Sequence, residues 1–278
     1  MSSQPKEGND TSFWDQRRGK ILTRKGGLVF GKGVFCHGYD MMEELVGKAT
    51  YFQVLVLNVT GRLPERRLAD WLEALFICLS YPDARIWCNQ IGSLAGTAQA
   101  SPVAAASGGI LASDSRLYGP GATLAAFSFM SEALKKKQHG VEAQEIVKSH
   151  PKRRNDGVPV IVGYARPVAQ GDERISSMVL VGERLGLVSG EHLALAYEID
   201  AVLTSKYGET MNLLGYATAF LLDQGFTHQD VYRLLSCWVS SGIHACYAEA
   251  ADQPPESFFP LHCEDIDYQG KPPRPVPA

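Results

Sequence analysis

Apolar positions along this chain recur mostly at helical spacing. After Leu63-Pro64-Glu65 they fall at Leu68, Trp71, Leu72, Leu75, Phe76 and Leu79, steps of three and four that line one helix face. Pro64 suits the first turn of that helix and Pro82 ends it. The same period predicts helices over 123–136, 175–185, 191–203 and 212–222. Thr227 and Asp230 have the spacing of a capping box, which would open a long helix over 231–249. Residues 93–112 are almost wholly Ser, Ala and Gly. Small side chains let helices approach closely, so this stretch reads as one buried helix. Strand signals are scarce, and only 51–59 can be read as a strand. Residues 1–18 are polar and without period, and read as a mobile arm. Residues 150–170 break the helical pattern with Pro151, Asp156-Gly157, Pro159 and Pro167 around the basic cluster Lys152, Arg153 and Arg154. The expected fold class is all-α, with no internal repeat.

Composition narrows the function classes. The chain has 278 residues, 45% hydrophobic and 21% charged, which supports a sizeable core. Lys+Arg 27 against Asp+Glu 30 gives a net charge of −3, without the basic excess of a dedicated nucleic-acid binder. The longest apolar runs, 54–57 and 74–79, fall far short of the ~18 residues a membrane span needs. Residues 1–20 have no apolar core of a signal peptide. The six cysteines form no CxxC pair, so no zinc or redox signature is present. Cys78 and Cys237 lie among apolar neighbours and read as buried thiols. These features point to a cytoplasmic protein with neither a nucleic-acid nor a membrane partner.

Single residues do not announce a reaction. The chain carries no nucleophile elbow, no glycine-rich phosphate loop and no HExxH. The seven histidines are scattered, and each taken alone reads as a surface or packing residue. Lys135-Lys136-Lys137 reads as a solvated helix end, and Gly119-Pro120-Gly121 as a turn.

Several ordered stretches resemble the citrate synthase superfamily, in particular citryl-CoA lyase and the corresponding C-terminal module of ATP-citrate lyase. His37-Gly38-Tyr39 with Glu43-Glu44-Leu45 is similar to that family's RGYxxEEL, and Thr60-Gly61-Arg62-Leu63-Pro64 to its tGelP. Leu117-Tyr118-Gly119-Pro120-Gly121-Ala122 resembles LHGGA. Val162-Gly163-Tyr164-Ala165-Arg166-Pro167-Val168, with Asp172-Glu173-Arg174, resembles GfGHrv followed by DPR. Lys206 and Asn212-Leu213-Leu214-Gly215 resemble K…NvDG. The resemblance covers nearly all of residues 20–278. It implies a large helical domain over 19–122 and 222–278, a small one over 123–221, a homodimer in which 93–112 packs at the interface, and a ligand cleft between the domains. It also implies a coenzyme A thioester as substrate or ligand, and no covalently bound cofactor.

That family makes or breaks a carbon–carbon bond beside a thioester, using a carboxylate base and histidines to move protons and stabilise oxyanions. The matching positions are changed here. Tyr118 and Arg166 stand at the two histidine positions and Leu214 at the aspartate position. Val239 and Cys246 replace an arginine and a histidine, and Asn89-Gln90 and Ala95–Gln99 bring no histidine back. Leu214 cannot accept a proton, and Arg166 does not release one. Arg174 matches the DPR arginine that contacts a carboxylate, while Glu173 stands in place of the proline. By this resemblance, Tyr118, Arg166, Asp172 and His244 are the candidate catalytic residues, and Gly119, Gly121, Gly163, Arg174 and Lys206 the candidate CoA- or substrate-binding residues. Arg166, Arg174 and Lys206 would favour a small anion or acyl-CoA. Alternatively, Arg166 would pair with Asp172 or Glu173. Three functional readings follow: altered carbon–carbon bond or thioester chemistry, a non-catalytic relative that binds a ligand or partner, or an ordinary citrate synthase or citryl-CoA lyase, which the changed positions disfavour.

Overall fold

The computed structural model describes residues 10–116, 118–166, 171–255, 257 and 262–277. Residues 1–9 of the expected arm, together with Leu117, Pro167 and Val168 of the motifs, lie outside them. The chain divides into two compact units at Asp70 and Trp71.

The first unit begins with a one-turn helix, α1 (Ser12–Asp15), followed by an antiparallel sheet of β1 (Gly26–Val29), β2 (Gly33–Cys36) and β3 (Tyr39–Asp40) in that order. The β2–β3 connection is His37-Gly38. Both residues have positive φ, +50° and +90°, the backbone a tight hairpin requires. A π-helical turn, Met41–Leu45, follows, its N–H groups at Met42 and Glu43 capped by Asp40. Residues 51–59 are not a strand but lie in α2 (Tyr51–Thr60). Their β-branched content is overridden by a capping box: Thr50 Oγ1 accepts from Gln53 N at 3.2 Å, and Gln53 Oε1 accepts from Thr50 N at 3.0 Å.

The division falls inside α3 (Arg66–Ile77), where the expected face buries Leu68, Trp71, Leu72 and Leu75. Then come α4 (Trp87–Thr97), α5 (Pro102–Ser113), α6 (Pro120–Gln138), α7 (Ala143–Lys148), α8 (Glu173–Arg184), α9 (Glu191–Tyr207), α10 (Leu213–Asp223), α11 (His228–Leu234) and α12 (Ser240–Ala251). Among its described residues, the regular secondary structure of the second unit is helical, apart from two isolated bridges. Among the described residues, no helix is long and apolar enough to cross a membrane.

Two expected helices are each split. The small-residue stretch 93–112 belongs to α4 and α5, because Gln99 turns to a positive φ of +54° and Ser101 caps a new helix with Pro102 in its first turn. The run 231–249 is cut by a 3₁₀ turn, Leu235–Cys237, between α11 and α12. That turn resets the helical phase, so Leu234, Leu235, Trp238 and Val239 are all buried while Cys237 is exposed. Among the described side chains, the buried thiols are Cys88 and Cys246, with Cys78 half-buried.

The small residues serve packing within the chain. A Cβ on Gly92 would lie 2.6 Å from the Ile243 carbonyl oxygen, and one on Gly96 would lie 2.5 Å from that of Tyr247. Glycine is what allows α4 and α12 to meet backbone to backbone. Elsewhere, Trp71 stacks on Phe220 with centroids 4.1 Å apart, tying α3 to α10. Asp223, at the end of α10, accepts from Gly190 N, His192 N and Leu193 N at 2.7–3.1 Å and so caps the start of α9.

Candidate functional site

Part of the expected site, Gly163, Arg166, Asp172 and Arg174, converges where α8 and α10 begin. Segments 163–165 and 210–212 run side by side: Ala165 N donates to Thr210 O at 2.8 Å and Asn212 N to Gly163 O at 3.0 Å. Gly163 has a φ of +98°, and a Cβ there would lie 2.8 Å from Gly215 Cα, so glycine is required at this crossing. Asn212 caps α10 by accepting from Leu214 N and Gly215 N, and its Nδ2 donates to Ala165 O at 2.7 Å.

Asp172 is the hub. Its side chain is fully buried. It caps α8 by accepting from Arg174 N, and it accepts from Leu213 N at 2.8 Å, from Arg174 Nε at 2.7 Å and from Arg174 Nη2 at 2.7 Å. Burial works to raise the carboxyl pKa, but Arg174, Leu213 N–H and Arg166 together outweigh it, and the net shift is downward. A carboxylate held this way is a poor proton acceptor near neutral pH.

Arg166 pairs with Glu173 through Nη1 and Nη2 of its guanidinium, and Nη1 lies 3.7 Å from Asp172 Oδ1. The expected set of unpaired cations is thus replaced by two arginines matched to two carboxylates, the alternative that the sequence left open. Because Glu173 begins α8 directly after the Asp172 cap, its side chain is delivered to the Arg166 fork.

Tyr118 sits at the turn before α6, where Gly119 (φ +71°) passes so close to Ser113 that a Cβ would lie 2.0 Å from its carbonyl oxygen. Gly121 is similarly close to Ser115. The Tyr118 ring meets Trp87 edge-on, with centroids 4.9 Å apart. Burial, with the Cys88 thiol beside it, raises the Tyr118 pKa, so the phenol remains a hydrogen-bond donor. Arg174 is near enough to oppose that shift.

Three residues that sequence reasoning missed belong to this cluster. The Tyr81 phenol bears on the ionisation of Arg166, Arg174 and Tyr118 alike. Cys88 lies against Tyr118, and Cys78 is near Arg174 and Asp172. None belongs to a spacing motif, so only the fold could recruit them.

His244 and Lys206 are not drawn in. His244 is exposed on α12, with Nδ1 2.7 Å from Ser240 O of its own helix. Lys206 is exposed in the last turn of α9, and Leu214 is half-buried in the first turn of α10. A cleft of about 630 Å³ adjoins Gly171 and Asp172 along the α8 face of Ile175, Val179 and Leu180, and neither arginine lines it. Among the described residues, no group of three His, Cys, Asp or Glu side chains could hold a metal ion.

Comparison with solved structures bears on the whole arrangement. Citryl-CoA lyase from Hydrogenobacter thermophilus superposes with a TM-score of 0.76 at 22% identity, over 92% of this chain and 97% of that one. The fold is citrate synthase-like. ATP citrate lyase from Methanothrix soehngenii, solved with citrate and coenzyme A, superposes at 0.75 and 15% identity over 98% of this chain, which spans 45% of that larger protein. Citrate synthase from Thermoplasma acidophilum, solved with carboxymethyl coenzyme A and oxaloacetate, superposes at 0.59 and 14% identity, over 82% of this chain and 58% of that one. At these identities the likeness is one of fold. No family model matches the sequence, and no curated protein matches it. The citrate synthase-like fold accords with the helical reading of the sequence.

Proposed function

We propose that this citrate synthase-like chain binds an acyl-CoA or a related carboxylate at the Tyr118–Arg166–Arg174 cluster and performs non-standard carbon–carbon bond or thioester chemistry there. The observation that carries the reading is the donor-rich composition of the cluster. Two planar guanidinium forks suit carboxylates, and a protonated phenol is placed to stabilise an oxyanion. Gly119, Gly121 and Gly163 would line the ligand with main chain, and exposed Lys206 would meet a phosphate. On the proposed division into a large lobe, 19–122 with 222–278, and a small lobe, 123–221, Tyr118 would belong to the first and the arginines to the second. No covalent cofactor enters this scheme.

The second reading is a non-catalytic binder, and a specific observation favours it. Asp172 is saturated by four donors, His244 is turned to its own helix, and Leu214 offers no acceptor, so none of the three supplies a general base. A thermal-shift screen with coenzyme A, acetyl-CoA, citrate and oxaloacetate, followed by turnover assays on each stabilising ligand, separates the readings. Stabilisation with turnover supports the first, and stabilisation without turnover the second. No stabilisation by any of the four removes both.

We further propose a cytoplasmic homodimer. Cys36, Cys78, Cys88, Cys237 and Cys246 are free thiols, as suits a reducing compartment. The outer side of α5 leaves Val103 and Leu111 exposed at 73% and 76%, apolar surface suited to a second copy.

A further inference from the structure

Arg166 and Arg174 are each held by a carboxylate, but the two carboxylates are not equivalent. Asp172 is fully buried, and moving it would uncap α8 and strand the Leu213 N–H. Glu173 is 72% exposed, yet the Arg166 side chain it grips is only 15% exposed. The Glu173 carboxylate lies in the first turn of α8, where negative charge is favourable with or without Arg166. It can therefore swing into water at little cost, as exposed ion pairs are weak. Arg166 cannot follow, because Nη1 also faces Gly171 O at 3.5 Å and Asp172 Oδ1 at 3.7 Å.

We propose that Glu173 is a resident competitor: it occupies the Arg166 fork where a ligand carboxylate would bind, and so sets which anions the site accepts. This inference rests on the reading that a carboxylate binds at this cluster. The exchange is one carboxylate for another, so it is charge-balanced and needs no proton. An attached carboxylate competes at an effective concentration that reaches the mM range for short tethers. A monocarboxylate reproduces only what Glu173 already offers and is shut out. A ligand that engages the fork and a second donor, such as Tyr118 or a neighbouring backbone N–H, gains what Glu173 cannot supply. The site should therefore discriminate by the number of anchoring groups, favouring polycarboxylates over simple acids.

Calorimetric titration at constant ionic strength tests this, with citrate and acetate as probes on the full chain. Glu173→Gln is expected to bind citrate about two- to sixfold more tightly than wild type, the factor by which an exposed ion pair of up to about 1 kcal/mol competes, and to strengthen acetate binding by the same factor. Glu173→Pro is the second variant, since proline is tolerated at the first helical position; it should reproduce the gain if Glu173→Gln fails to fold. Arg166→Ala should weaken citrate, and adding Glu173→Gln to it should restore nothing. If Arg166→Ala weakens citrate while both Glu173 variants match wild type, the competitor role is overturned and the ligand site stands. If citrate binds none of the folded variants, the site itself is overturned along with the competitor.

Discussion

Asp172 and Arg174 stand two residues apart and hold each other by two hydrogen bonds of 2.7 Å, Nε to Oδ1 and Nη2 to Oδ2. The same carboxylate caps α8 and anchors the start of α10 through Leu213 N–H, so one side chain fixes two helix termini and one guanidinium. Asp172→Asn should therefore destabilise the fold by about 3 kcal/mol, as when one partner of a buried pair is lost. Glu173→Gln should change stability by less than about 1 kcal/mol, because its ion pair is exposed on the Glu173 side. Urea unfolding of both variants checks the contrast, and equal effects would contradict the hub role of Asp172.

The same carboxylate predicts a pH dependence. Its folded pKa is lowered, so its contribution is present above the ordinary aspartate value and is lost as pH falls through the folded value. Below pH ~4, wild-type stability should decline more steeply than that of Asp172→Asn. Unfolding midpoints measured over an acid series read this directly. Parallel slopes would mean that Asp172 titrates alike in the folded and unfolded states.

The glycine contacts between α4 and α12 predict position-specific intolerance. Gly92→Ala and Gly96→Ala each drive a Cβ within 2.6 Å of a facing backbone oxygen and should cost about 1–3 kcal/mol or more. Gly108→Ala meets only Ile91 Cγ2 at 3.4 Å and should be neutral or stabilising by up to ~1 kcal/mol, the helix gain of alanine over glycine. Thermal unfolding of the three variants tests the ordering.

Tyr118→Phe removes one donor and leaves the ring against Trp87. The fold should hold, and affinity for any ligand that uses the phenol should fall by about 0.5–1.5 kcal/mol. Because the phenol is held protonated, that loss should be the same across neutral and mildly alkaline pH. Calorimetry at two pH values checks both statements, and unchanged affinity would remove Tyr118 from the site.

The proposed homodimer predicts sedimentation as a dimer at micromolar concentration. Val103→Glu with Leu111→Glu, on exposed positions of α5, should shift the chain to monomer without loss of helical circular dichroism. A wild-type chain that sediments as a monomer would end the proposal.

The local signals legible in the sequence were those that a single element satisfies by itself. The apolar face of α3 and the capping box at Thr227 and Asp230 needed no partner from elsewhere in the chain. The strands over 26–40 escaped notice because β1 is exposed along its length and so carries no in-and-out alternation. The identity of the strong hydrogen-bonding groups could also be read, since Tyr118, Arg166, Asp172 and Arg174 lie in motifs whose order resembles a known family.

The tertiary structure alone decided how those groups are used. Whether Arg166 meets solvent or Glu173 depends on the direction α8 takes after its Asp172 cap, and that direction is set by a hydrogen bond to Leu213, forty-one residues away in sequence. Tyr81 and Cys78, between α3 and α4, and Cys88, in the first turn of α4, join the cluster only in the folded chain and belong to no pattern of spacing. The glycines of α4 show the same division: the sequence marks where close approach is possible, and the partner, α12, is chosen by the chain's long-range path. Helical period and capping are properties of neighbours along the backbone, whereas the charge balance at Asp172 is a property of residues that only folding brings within reach.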